Sequence, residues 1–173
     1  MLLRLMTALG VLVISCAAVE AQNAKPNDAQ IAHIAYTAGN IDINAAQLAL
    51  DKSKNKEVRS FAEDMLRDHK AVNDQALALV KKLNVTPQDN DTSQALLKQA
   101  ADKQASLKQL NGAAFDKAYA ENEVAYHKAV DGALQNTLIP SASNAELKDL
   151  LSTGLKIFQG HEQHAEHLAS SLK

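Results

Sequence analysis

Long stretches of this chain carry apolar residues in alternating steps of three and four, a spacing that places a narrow apolar stripe on one face of an α-helix. One such stretch runs from Asp28 to about Ser53. A second begins near Asn55, as its N-cap, and stops before the sequence NVTPQDN, where Pro87 prevents continuation. The turn between them is short, so the two helices are predicted to form an antiparallel hairpin. The second stripe consists of Ala62, Met65, His69, Val72, Ala76, Leu79 and Leu83.

Three further helices are predicted downstream. The stretch DTSQALLKQAADKQASLKQLNG favours helix but is weakly apolar, so we interpret it as a connecting helix with Asn111 and Gly112 as its C-cap. The next stripe lies in AAFDKAYAENEVAYHKAVDGALQNTL and ends at Pro140. The last helix opens at Ser143 or Asn144 and runs to the C-terminus.

The composition supports an all-α fold. Aromatic residues make up only 3% of the chain and tryptophan is absent, which offers little for β-strands. Four core helices, each roughly 40 Å long at 1.5 Å per residue, predict a four-helix bundle. The 28 residues of 85–112 could cross its whole length. Core helix three would then run parallel to helix two, the ferritin-like connection, although simple up-down-up-down topology stays open. We predict a ferritin-like four-helix bundle with an extra connecting helix between core helices two and three.

The N-terminus resembles a secretion signal. Arg4 provides a positive charge, residues 5–14 are apolar, and small residues follow; the run is too short for a transmembrane helix. We predict a signal peptide over residues 1–21 and a periplasmic four-helix bundle domain over 22–173. The alternative is a lipoprotein signal cleaved before Cys16, which would give a membrane-anchored protein with a lipid anchor at that residue. Cys16 is the single cysteine, so the mature protein would contain no internal disulfide.

Several functional classes are excluded. The net charge of −2 gives no support for nucleic-acid binding. The chain has no nucleophile elbow and no glycine-rich phosphate loop. A di-iron carboxylate site needs Glu-x-x-His motifs, which are absent because the residues three before the relevant histidines are Leu66, Val124 and Phe158.

Two histidines interrupt the apolar stripes. His69 lies between Met65 and Val72, and His161 occupies the same kind of position in the last helix. A buried imidazole without a partner costs about 1 to 3 kcal/mol, so each needs a hydrogen-bond partner or a ligand.

Other polar residues are predicted at the same depth. His127 shares a helix face with Glu123, and Asp42 lies at the edge of the first stripe. Counting from one end of the bundle places Asp42, His69, His127 and His161 within about 5 Å along its axis. Pairing the residues of the last two helices about the connection between them instead puts Glu123 opposite His161, with His127 one helical turn away. The sequence leaves both counts open.

Histidine and carboxylate side chains that converge from facing helices form transition-metal sites. We therefore predict a single metal ion, zinc, copper or iron, and Met65 would favour copper if it pointed inward. His164 could join the site, whereas His167 points away. The alternative is that the histidines are core residues whose hydrogen bonds are satisfied by neighbours. The predicted metal ligands are His69, His127, His161, Glu123, Asp42 and His164.

The chain also resembles a bacterial envelope family of unknown function, often labelled outer membrane proteins, with a ferritin-like four-helix core. The matching features are the pair Asp68-His69, the run FDKAY at 115–119, and His127 beyond it. Members commonly carry glutamates in helix one, where this chain has Asp42 and Asn44, and a proline before the last-helix histidine that this chain lacks. The resemblance implies a fold and an envelope location, and no established activity.

From these features we expect a metal-binding or envelope stress-protection protein. A metal-free structural or interaction module, with buried histidines as hydrogen-bond staples, is the alternative. An enzyme that uses the metal to activate water ranks third.

Overall fold

The computed structural model describes residues 25–172, and within them every regular element is helical. The predicted signal peptide lies outside the described residues. The all-α prediction is confirmed. The long helices are α1 (Asp28–Lys52), α2 (Lys56–Lys82), α3 (Asp91–Lys108), α4 (Gly112–Ala133) and α6 (Ala145–Ser171), and a π-helical turn (Leu134–Leu138) and the short α5 (Ile139–Ser141) precede α6.

Asparagine side chains begin four of these helices. The Asn27 side chain accepts from the Gln30 amide, and Asn55, Asn90 and Asn144 cap their helices in the same way. The predicted cap at Asn55 is confirmed, and of the two candidates for the last helix, Ser143 and Asn144, the cap is Asn144. The prediction that Asn111 and Gly112 end the connecting helix was wrong, because α3 stops at Lys108 and these residues open α4 instead. Gly112 has φ +55°, a left-handed conformation that glycine adopts without strain.

The contacts between helix ends fix the direction of each helix. The backbone N–H of Gln88 donates to the Ala29 carbonyl, so α2 ends where α1 begins. Lys52 Nζ donates to the Lys108 carbonyl at 2.9 Å, so α3 runs parallel to α1 along the molecule. The Ser143 N–H donates to Asp28 at 2.8 Å, so α4 returns to the start of α1 and α2 and α4 run in the same direction. Of the two topologies that the sequence left open, the crossover connection is the one observed.

The core is divided into two apolar clusters. One, around Phe61, Phe115 and Tyr119, lies toward the end of α1, and the other, around Ile31 and Leu151, lies toward its beginning. Between the two clusters, each long helix except α3 contributes at least one buried polar residue. These are Asp42, His69, Glu123, His127 and His161. A polar layer therefore crosses the middle of an otherwise apolar core.

Within the described part of the chain, no helix combines the length and apolar character needed to cross a membrane.

Candidate metal centre

The polar layer is built around one carboxylate. Asp42 Oδ2 lies 3.1 Å from His69 Nε2 and 3.3 Å from His127 Nε2. Neither pair has the alignment of a hydrogen bond, and both carboxylate oxygens are buried without a donor among the described residues. Three electron-pair donors thus converge from α1, α2 and α4 with no directed hydrogen bond between them.

Two of the imidazoles are held by one ring nitrogen each. His127 Nδ1 lies 3.0 Å from the Glu123 carbonyl oxygen, which can only accept, so Nδ1 carries the proton and Nε2 is left as a free donor of electrons. His161 Nε2 lies 3.0 Å from Asp68 Oδ2 and donates to it, which leaves the buried Nδ1 without a partner. Metal-binding histidines show this arrangement, with one nitrogen on a carbonyl or carboxylate and the other free for the metal.

The three imidazoles lie close enough to share one ion. Ligand atoms of His69, His127 and His161 lie within 4.8 Å of one another, and so do those of Asp42, Glu123 and His127. A tetrahedral zinc ion with Zn–N bonds of about 2.1 Å separates its nitrogens by about 3.4 Å. Side-chain rotations that draw the nitrogens together by an ångström or so would complete such a shell.

An aromatic wall fixes the central imidazole. The Phe158 ring stacks on His69 with centroids 4.5 Å apart and an interplanar angle of 9°. His69 is also 5.4 Å from His161, measured between ring centroids. The ring of His69 is therefore confined to a narrow slot that faces the other imidazoles.

Burial and neighbouring charges set the protonation of the layer. Burial lowers the pKa of His161 to about 4, with further lowering by the other two imidazoles, and burial also lowers the pKa of His127. Burial alone would raise the pKa of Asp42, but the charges of His69 and His127 outweigh it and lower that pKa. His127 and His161 are therefore neutral near neutral pH, the form that binds metals, beside an ionised Asp42.

The pKa of Glu123 is shifted in the opposite direction to that of Asp42. Its pKa is raised well above the usual value, first by burial and then by the negative charge of Asp42. Its Oε2 is buried without a hydrogen-bond partner, and Asn122 Nδ2 donates to Oε1 at 3.2 Å. Glu123 thus holds a proton more strongly than an ordinary glutamate, next to the Asp42 carboxylate.

The predicted residues divide into one group and one outlier. Asp42, His69, Glu123, His127 and His161 come together. The rings of His127 and His161 meet edge to face with their centroids 5.5 Å apart, so the first axial count describes the fold. His164 lies apart: it is exposed, and its ring packs edge-on against Phe61 at 5.0 Å.

Two acidic residues at this site were not predicted. Asp68 was noted in the sequence only as part of the pair Asp68-His69, but it accepts a hydrogen bond from His161, and it is also paired with Arg67. Asp131 is 6% exposed, and neither of its oxygens has a hydrogen-bond partner in the described structure. Burial and the nearby Glu162 raise the pKa of Asp131 to about 7. Its position four residues after His127, on the same helix face, was the available signal.

No curated protein and no solved structure matches the chain significantly. One family profile matches residues 15–168, nearly the whole sequence, and its description states no activity. This match confirms the prediction that the chain belongs to a family of unknown function. The chain belongs to the family described as a domain of unknown function, DUF4142.

Proposed function

We propose that the protein binds a single transition-metal ion, zinc, copper or iron, through His69, His127 and His161, with Asp42 completing the shell. One observation carries this proposal: three buried imidazoles from three helices place ligand atoms within 4.8 Å, and each has a ring nitrogen without a hydrogen-bond partner. Leaving such nitrogens unpaired in a core is costly, and a metal ion would satisfy all of them at once. Glu123 is the alternative carboxylate ligand, and exposed His164 is left out of the set.

We place this site in a ferritin-like four-helix bundle formed by residues 22–173. The parallel α2 and α4, joined by the crossing α3, support that choice of fold. The apolar N-terminal stretch supports export to the periplasm, with lipid attachment at Cys16 as the alternative. The protein would serve in metal binding or envelope stress protection, and it has no nucleic-acid partner.

The test is metal content. The chain is expressed at full length without a histidine tag, purified, loaded with zinc, copper(I) or iron(II), and its metal measured by mass spectrometry. We expect about one ion per chain, and loss of that ion in the double variant His69→Ala/His161→Ala. The variant His164→Ala/His167→Ala removes two exposed imidazoles from the same helix and serves as the matched control.

Folding of the variants is followed by circular dichroism. His127→Gln retains a polar side chain of similar size and provides a second test should the double variant unfold. Sub-stoichiometric metal in the wild type and variants alike, with no change in melting on adding zinc or copper, would reject the proposal.

The second candidate is a metal-free structural or interaction module. Two hydrogen bonds favour it, from His161 to Asp68 and from His127 to the Glu123 carbonyl. Both can stabilise the core without a metal ion. On this hypothesis the alanine variants lower the melting temperature in the presence of a chelator, and added metal changes nothing.

A further inference from the structure

A long groove lies beside the polar layer, between α3 and the rest of the core. Its volume is about 860 Å³, within the range of small-molecule sites in proteins. Its lining on α1 extends from Gln30 to Ala45, which corresponds to about 22 Å at 1.5 Å per residue. The cavity is therefore elongated along the helix axes.

The groove is wide because small side chains line it. Ala125, Ala129 and Ala133 recur every four residues on one face of α4, and all three are exposed although they line the groove. On the opposite wall, α3 contributes the apolar Leu96, Ala100 and Leu107 together with polar residues that include Gln99 and Gln104. Helices α3 and α4 are thus separated by apolar surface that neither of them covers.

The two ends of the groove differ in polarity. At one end it reaches His69 and His127, which are at least 98% buried and have ring nitrogens without hydrogen-bond partners. Lys103, the one lysine or arginine in the lining among residues 25–172, belongs to the part of α3 nearest this end. At the other end the lining includes Leu138 and Leu147, and the acidic Asp91 lies at its rim. The charges favour an anion near Lys103 and disfavour one near Asp91.

We propose that this groove binds one linear acyl chain with an anionic head group, such as a long-chain fatty acid. The head group lies at Lys103, which is exposed, and the tail extends past Ala129 toward Leu138. The elongated shape, the alanine lining and the opposed charges at the two ends all fit this ligand class. Binding of the acyl chain does not require a metal ion, so this proposal and the proposed metal site can fail independently.

Calorimetric titration of the metal-free, full-length-expressed protein with hexadecanoate, below its micelle concentration, tests the proposal. We expect saturable binding of one molecule per chain. Ala129→Trp fills the groove and should weaken binding by at least about tenfold, a discrimination typical of a blocked apolar pocket. Ala101→Trp, on the outward face of α3, is the matched control and should bind like the wild type. Ala133→Phe repeats the test if Ala129→Trp does not fold.

A separate comparison, between a charged and an uncharged ligand, tests the position of the head group. Lys103→Glu should weaken hexadecanoate binding severalfold more than hexadecanol binding, because only the former carries a charge. The same change at Lys117, an exposed lysine outside the groove, should affect neither.

Three results would overturn the proposal. One is the lack of saturable binding, and another is equal binding by wild type and both groove variants. The third is a dimer by light scattering that Ala129→Trp converts to a monomer, since a second copy of the chain would then occupy the groove.

Discussion

Asp42 Oδ2 and His69 Nε2 lie 3.1 Å apart in the middle of the core, where both side chains are almost inaccessible to water. Placing a carboxylate and an imidazole at such depth costs several kcal/mol per charged group unless the pair is well compensated. Interaction with His69 helps to keep the pKa of Asp42 low, but the two groups are not aligned for a hydrogen bond. A cation between them and His127 would bond to all three side chains.

The charge of Asp42 can be removed with little change in volume. We expect Asp42→Asn to weaken zinc binding at least tenfold, because an amide oxygen is a poorer ligand than a carboxylate and the site loses a negative charge. Competition with a fluorescent zinc chelator measures the dissociation constant. Asp51→Asn, an exposed change on the same helix, should leave it unchanged. Equal affinities for wild type and Asp42→Asn would exclude Asp42 as a ligand.

Asp68 orients His161 without belonging to the ligand set. Loss of such a partner typically reduces metal affinity by about 10- to 100-fold, and we expect this of Asp68→Ala. Asp68→Asn keeps an oxygen that accepts from Nε2 and should recover part of the affinity. Asp64 shares the partner Arg67 but has no hydrogen bond to histidine, so Asp64→Ala is the matched control. If both alanine variants lose affinity equally, the orienting role is wrong.

The helices could largely be predicted because stripe spacing and capping residues are local signals. Asn55 and Asn144 begin their helices as predicted. The end of the helix that contains His127 was harder to predict, because α4 passes into the π-helical turn at Leu134–Leu138 just before Pro140. Residue types do not report a change in backbone hydrogen-bond register.

The histidines of the site could be found because each interrupts an apolar stripe. The role of Asp68 could not be found in this way, because a residue adjacent to His69 on a helix points about 100° away from it. Whether that direction leads to solvent or to α6 depends on how the helices pack. Residue spacing along one helix gives no information about the neighbour that it meets.

The pKa values predict unusually acid-resistant metal binding. Burial lowers the pKa of His161 to about 4, so this imidazole stays neutral as the pH falls through the range where histidine ordinarily gains a proton, and burial also lowers the pKa of His127. Three ordinary imidazoles would lose about a thousandfold in affinity between pH 7.5 and 5.5 through proton competition. We expect a loss below about a hundredfold, because His161 does not compete with protons in this range. Zinc competition across the range measures it. A thousandfold loss would contradict the assigned protonation states.

Asp131 provides a separate test of the electrostatics, through stability. Burial and the Glu162 carboxylate raise its pKa from 3.8 to about 7. Between these values the folded protein keeps a proton that the unfolded chain has lost, so the contribution of Asp131 to stability falls as the pH rises from about 4 to 7. An asparagine side chain at this position would be neutral throughout and could donate its amide to Glu162. We therefore expect Asp131→Asn to melt close to wild type near pH 4 and at least about 3 °C higher at pH 8, with chelator present.

Asp149→Asn, an exposed change on α6, should show no such divergence. A difference in melting temperature that is the same at both pH values would mean that Asp131 does not hold a proton in the folded protein.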